Sequence, residues 1–84
     1  MSTKFRYTLS RKGAMRCENN EFFLQKTPDF KGHTRKIFMA LYGSKPKTLA
    51  EISEEVGIKR RDVNGIISFN INAGYIRRIP LHPL

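Results

Sequence analysis

Along residues 4–10, KFRYTLS, apolar and polar positions alternate without a break. Phe5, Tyr7 and Leu9 share one face, while Lys4, Arg6, Thr8 and Ser10 share the other, which predicts a half-buried strand. Arg11-Lys12-Gly13 can turn the chain, and residues 14–17 then read as a second strand. Glu18-Asn19-Asn20 can turn it again, because asparagine tolerates left-handed dihedrals. Phe22, Phe23 and Leu24 would form a third strand, making residues 4–25 a small antiparallel meander.

Thr27-Pro28-Asp29 breaks that segment, and the apolar spacing beyond it is helical. Ile37, Phe38, Leu41 and Tyr42 make one stripe on a helix over residues 34–42, with Gly43 as its stop. Residues 44–47 form a loop. Thr48 and Glu51 are spaced as a capping box, opening a second helix that turns Leu49, Ile52 and Val56 inward. Its outward side carries Glu51, Glu54 and Glu55, and Gly57 supplies a left-handed turn residue. A third helix starts near Lys59 or Arg60. At 100° per residue, Val63, Ile66, Ile67, Asn70, Ile71 and Gly74 lie on one side. Arg61, Asp62, Gly65, Ser68, Phe69 and Asn72 lie on the other. Residues 75–79 then read as a strand, closed by Pro80.

Eighty-four residues allow one small domain, burying about 60–65% of its unfolded surface. Sixteen Lys and Arg against seven Asp and Glu give a net charge of +9, so a polyanionic partner is expected, nucleic acid first. The excess is uneven: residues 1–36 carry +6 and residues 37–84 carry +3. The single cysteine, Cys17, can form neither an internal disulfide nor a zinc site. His33 and His82 have no carboxylate or cysteine at ligand spacing, and neither a phosphate loop nor a nucleophile with a base is visible. The expectation is a binding protein without enzymatic activity, cofactor, metal or small-molecule ligand. No apolar leader or run of about 18 apolar residues is present, so a cytoplasmic location without membrane contact is expected.

From Thr34 onward the chain resembles a winged helix-turn-helix domain of the small prokaryotic and viral regulator type. Ile52, Ser53, Glu54-Glu55 and Val56-Gly57-Ile58 match the family's apolar, small, two variable, apolar-Gly-apolar pattern. Val63, Ile66 and Ile67 follow at the family's apolar positions, and Ala73-Gly74-Tyr75-Ile76 leads into the wing. The resemblance implies an α+β winged helix-turn-helix fold with three helices and a small antiparallel sheet. Residues 1–84 form a single domain, with residues 1–30 a β-rich basic extension and residues 34–79 the helix-turn-helix core and wing strand. The family's wing is a hairpin, whereas only five residues follow Ile79 here. The first strand is therefore expected to pair with residues 75–79 and complete a short wing.

The resemblance also implies sequence-specific binding of double-stranded DNA. It places Lys59, Arg60, Arg61, Asn64, Gly65 and Ser68 toward the major groove. Arginine can bond guanine with two parallel bonds and asparagine can do so with adenine, while Gly65 lets backbone and duplex approach. Lys45, Lys47 and the capped helix start at Thr48 would meet phosphate. Arg77 and Arg78 point to opposite faces of the wing strand, so one of them is expected at DNA. Glu55 is expected to pair with Lys59, worth about 0.3–0.5 kcal/mol. Phe69 faces away from the core, and a cover is expected from Phe22 and Phe23 or from a second copy of the chain.

The resulting expectation is a small transcriptional regulator of the kind that phages, archaeal viruses and plasmids encode, acting in the host cytoplasm or nucleoid. With no room for an effector domain, control would come through abundance, a homodimer or a protein partner. The alternative is a protein-interaction module on the same fold that binds or inhibits a nucleic-acid-processing partner, which the acidic second helix and Phe69 favour.

Overall fold

The first strand, β1 (Phe5–Leu9), occupies the middle of a three-stranded antiparallel sheet, in the order β2-β1-β3. In the computed structural model, which describes residues 5–19 and 32–80, β1 pairs along its whole length with β3 (Ile76–Pro80). Phe5 opposes Pro80, Tyr7 opposes Arg78 and Leu9 opposes Ile76. On its other side, Arg6 and Tyr7 pair with Thr48 and Lys47 of the two-residue β2 (Lys47–Thr48). The expected pairing of the first strand with the last is thus present. Its physical basis is the period of two in β1, which turns Leu9 and Tyr7 toward the core and leaves Arg6 exposed.

Residues 11–19 differ from the expected turn and second strand. They form α1 (Arg11–Asn19), so the described residues hold four helices rather than three, and the expected second strand of the meander is a helix. Ser10 starts the helix: its hydroxyl accepts from the Gly13 N–H at 3.2 Å, and its carbonyl accepts from the Ala14 N–H at 2.9 Å. The same residue ties α1 to the far end of the chain. Its N–H donates to the Tyr75 carbonyl at 2.9 Å and its hydroxyl to the Gly74 carbonyl at 2.6 Å. Gly13 lies so close to the backbone just before β3 that a Cβ there would stand 2.2 Å from the Tyr75 carbonyl oxygen. The third expected strand, at Phe22 to Leu24, lies outside the described residues.

The other helices follow the sequence pattern closely. They are α2 (His33–Leu41), α3 (Leu49–Val56) and α4 (Arg60–Asn72). The core they close over contains Ile37, Phe38, Leu41, Ile52, Ile58, Val63, Ile66, Ile67 and Ile76, all buried. Gly57 ends α3 at φ 70°, in the left-handed region, and its N–H donates to the Ser53 carbonyl at 2.9 Å. The Ser53 hydroxyl donates to the Ile58 carbonyl, fastening the α3–α4 turn from inside. Asn70 is buried among these apolar residues, and its amide donates to the Ile66 carbonyl at 2.7 Å.

Arg16 brings a charge into this small interior. It is 6% exposed, with its guanidinium 4.4 Å from the centre of the Tyr75 ring and 5.9 Å from that of Phe38. Stacking on an aromatic face suits the weakly hydrated guanidinium, and desolvation strengthens the attraction. Lys12 lies over the same Tyr75 ring at 5.2 Å. An apolar helix face is thus replaced in α1 by glycine contact and cation–aromatic contact.

Candidate nucleic-acid interface

The exposed side of α4 is built by the burial of its other side. Val63, Ile66, Ile67 and Asn70 face the core, so the 3.6-residue period turns Arg61, Asn64, Gly65, Ser68, Phe69 and Asn72 outward. All six are exposed, as are Lys59 and Arg60 at the helix start. Lys59 stands at the N-cap position without a side-chain cap bond, so three cations cluster where the first peptide N–H groups are uncapped by the N-cap side chain. Asp62 in the first turn lowers the local positive charge.

Gly65 has open space around the position a Cβ would take, with nothing within 4 Å. The fold therefore has no packing use for a glycine there, although glycine costs about 1 kcal/mol relative to alanine inside a helix.

The start of α3 is committed to its own cap. The Thr48 hydroxyl accepts from the Glu51 N–H at 3.2 Å, and the Glu51 carboxylate accepts from the Thr48 N–H at 2.8 Å. The latter bond above all, opposed by desolvation and aided by the hydroxyl of Thr48 and the charges of Arg6 and Lys47, holds the Glu51 carboxyl below its usual range. The N–H groups of Thr48 and Glu51 are thus engaged within the cap. Lys47 is committed too: its ammonium donates to the Ala40 carbonyl at 2.8 Å and pairs with Glu55. Glu55 accordingly pairs with Lys47 and not, as expected, with Lys59. Lys45, in the loop before β2, is exposed.

Arg77 and Arg78 do point to opposite faces of β3. Arg78 shares the face of Tyr7 and lays its guanidinium 4.5 Å from the centre of the Phe5 ring. Arg77 opposes Thr8 on the outer face, beside Arg6 on the neighbouring strand. Of the two, Arg77 is the one turned away from the helices. Sequence reasoning left Arg6 and Arg11 out of the candidate contacts, and both are exposed. The alternation of residues 4–10 marked Arg6 as outward, but only the β1–β3 register brings it beside Arg77.

The remaining chemistry is sparse. Among the described residues no group of three or more His, Cys, Asp or Glu could hold a metal ion. Burial, opposed by Arg16, pushes the Cys17 thiol up to about 11, which keeps it protonated and unreactive near neutral pH. No helix among the described residues is long and apolar enough to cross a membrane. Phe69 is 43% exposed, and the expected covering residues Phe22 and Phe23 lie outside the described residues. No family model, curated protein or solved structure matches the chain.

Proposed function

We propose that the chain is a sequence-specific double-stranded DNA-binding protein of the winged helix-turn-helix type, acting as a small transcriptional regulator. The observation that carries this reading is Gly65: a costly glycine in mid-helix, unused by the fold, on the same face as Arg61, Asn64 and Ser68. Close approach of an outside body explains it, and the surrounding residue types suit base edges. In this reading α4 enters the major groove by its N-terminal end. On the same reading β1, which lies between β2 and β3, serves as the strand that pairs with the wing strand β3. Lys45 and Arg77 flank the groove-facing helix as phosphate contacts, whereas Lys47 and Thr48 serve the fold.

Salt dependence tests this directly. If Lys45, Lys59, Arg60 and Arg77 each neutralise one phosphate while Arg61 reads a base, log affinity falls with log salt at a slope of about −3.6. A fourfold rise in salt then costs roughly 150-fold in affinity. Replacing Lys59, Arg60 and Arg61 with alanine brings the slope to about −1.8. An unchanged slope and affinity in that variant would remove α4 from the interface. The acidic exposed side of α3, with Glu54 and Glu55, favours a second reading, a protein-interaction module on the same fold. That reading gains if the folded protein binds no duplex even at low salt.

A further inference from the structure

Phe69 has no role in the hydrogen-bonding and phosphate contacts described above. Its ring is 43% exposed on the outer side of α4. At 100° per residue it lies about 40° around the helix from Gly65, one turn further along. Its exposed neighbours on that side are polar: Arg61, Asn64, Ser68 and Asn72. Among the described residues, the other large exposed apolar ones, Met15, Met39 and Tyr42, belong to α1 and to α2 with its C-cap, not to α4. A partner protein docking through apolar burial would want a contiguous patch. An aromatic set among the hydrogen-bonding side chains of its own helix face matches a different surface. The floor of the major groove offers single apolar methyl groups between polar base edges, at each thymine. The cations at the start of the same helix give the charge complementarity for such a surface.

We infer that Phe69 packs against the C5-methyl group of a thymine, giving the site a base preference that its hydrogen-bonding residues do not supply. The inference rests on the duplex-DNA reading of α4. It also fixes a spacing. Arg61 and Phe69 are eight residues apart, about 12 Å along the helix axis. Base steps are about 3.4 Å, so the thymine lies about three to four base pairs from the guanine that Arg61 would contact.

The test is selection of bound sequences from a random duplex DNA pool, followed by remaking the enriched duplex with deoxyuridine at one thymine at a time. This change removes only the methyl group. Wild-type protein should enrich a thymine at the stated spacing and lose about threefold to fourfold in affinity when that methyl is removed. Phe69→Ala should bind the two duplexes equally, while its salt slope stays that of wild type, because no phosphate contact is lost. Phe69→Leu should retain part of the methyl preference, and thermal melting of both variants checks that they fold. Indifference of the wild type to every methyl, or an equal loss in wild type and Phe69→Ala, overturns the inference. In those cases salt-dependent duplex binding still upholds the DNA reading. Failure to enrich or bind any duplex overturns both.

Discussion

Gly13→Ala is a substitution for which helix propensity and tertiary packing give opposite signs. Gly13 is buried inside α1, and propensity alone says that alanine should stabilise the helix by about 1 kcal/mol. The structure says otherwise, because the new methyl would stand 2.2 Å from the Tyr75 carbonyl oxygen and 3.2 Å from a methyl of Leu9. The first neighbour is backbone, the residue just before β3 whose carbonyl accepts from the Ser10 N–H, so α1 has to move away. Moving it strains the bonds from Ser10 to the carbonyls of Tyr75 and Gly74, each worth about 0.5–1.5 kcal/mol. It also lifts the Arg16 guanidinium from the Tyr75 ring, a further contribution of about 1–2 kcal/mol. Set against the propensity gain of about 1 kcal/mol, the net destabilisation is about 1–4 kcal/mol. For a domain of this size that lowers Tm by roughly 5–30 °C. Thermal and urea unfolding followed by circular dichroism measure it, with an unchanged m-value showing that stability and not mechanism has shifted. A variant as stable as wild type, or more so, would refute the close approach of α1 to Tyr75.

Gly65→Ala should behave in the opposite way. With open space around it, the variant gains about 0.5–1 kcal/mol of stability while its duplex DNA affinity falls. A gain in stability with full affinity retained would show that the glycine is not an approach point. Glu51→Gln probes the α3 cap through pH. The folded Glu51 carboxyl titrates below its ordinary 4.5, so its charged form stabilises the fold fully above that value. The contribution is lost as pH falls through the folded pKa. The difference in Tm between wild type and Glu51→Gln should therefore be flat near neutral pH and shrink on acidification below 4.5. A difference constant down to strongly acid pH would contradict the capping role.

The elements that could be read from the chain are those whose local chemistry and burial agree. The alternation of residues 4–10 became β1, and Thr48 with Glu51 became the capping box of α3. The apolar stripe of Val63, Ile66 and Ile67 became the buried side of α4. α1 was lost because its buried positions are Gly13 and Arg16, residue types that ordinarily argue against a core-facing helix. The one local signal, Ser10 as a helix-starting hydroxyl, was absorbed into the end of the strand. At the candidate site, outward residues of α4 were legible from the same period that buries its core. The commitment of Lys47 to Glu55 and Ala40 was not, since it depends on a contact between a short strand and a helix face.

The position of β1 has a consequence for how the molecule acquires its structure. Phe5 and Pro80 are partners, so the sheet's central ladder joins the earliest and latest described parts of the chain. The helices α2, α3 and α4 can collapse on one another through contacts of short sequence separation, but the sheet requires closing nearly the whole chain into a loop. During synthesis Phe5, Tyr7 and Leu9 emerge well before Ile76 to Pro80 and have to wait for them before their ladder can form. Refolding should then be slower than the helical content suggests, because long-range pairing raises contact order. A helical subdomain forming early and a late step completing the sheet is the folding order that this topology imposes.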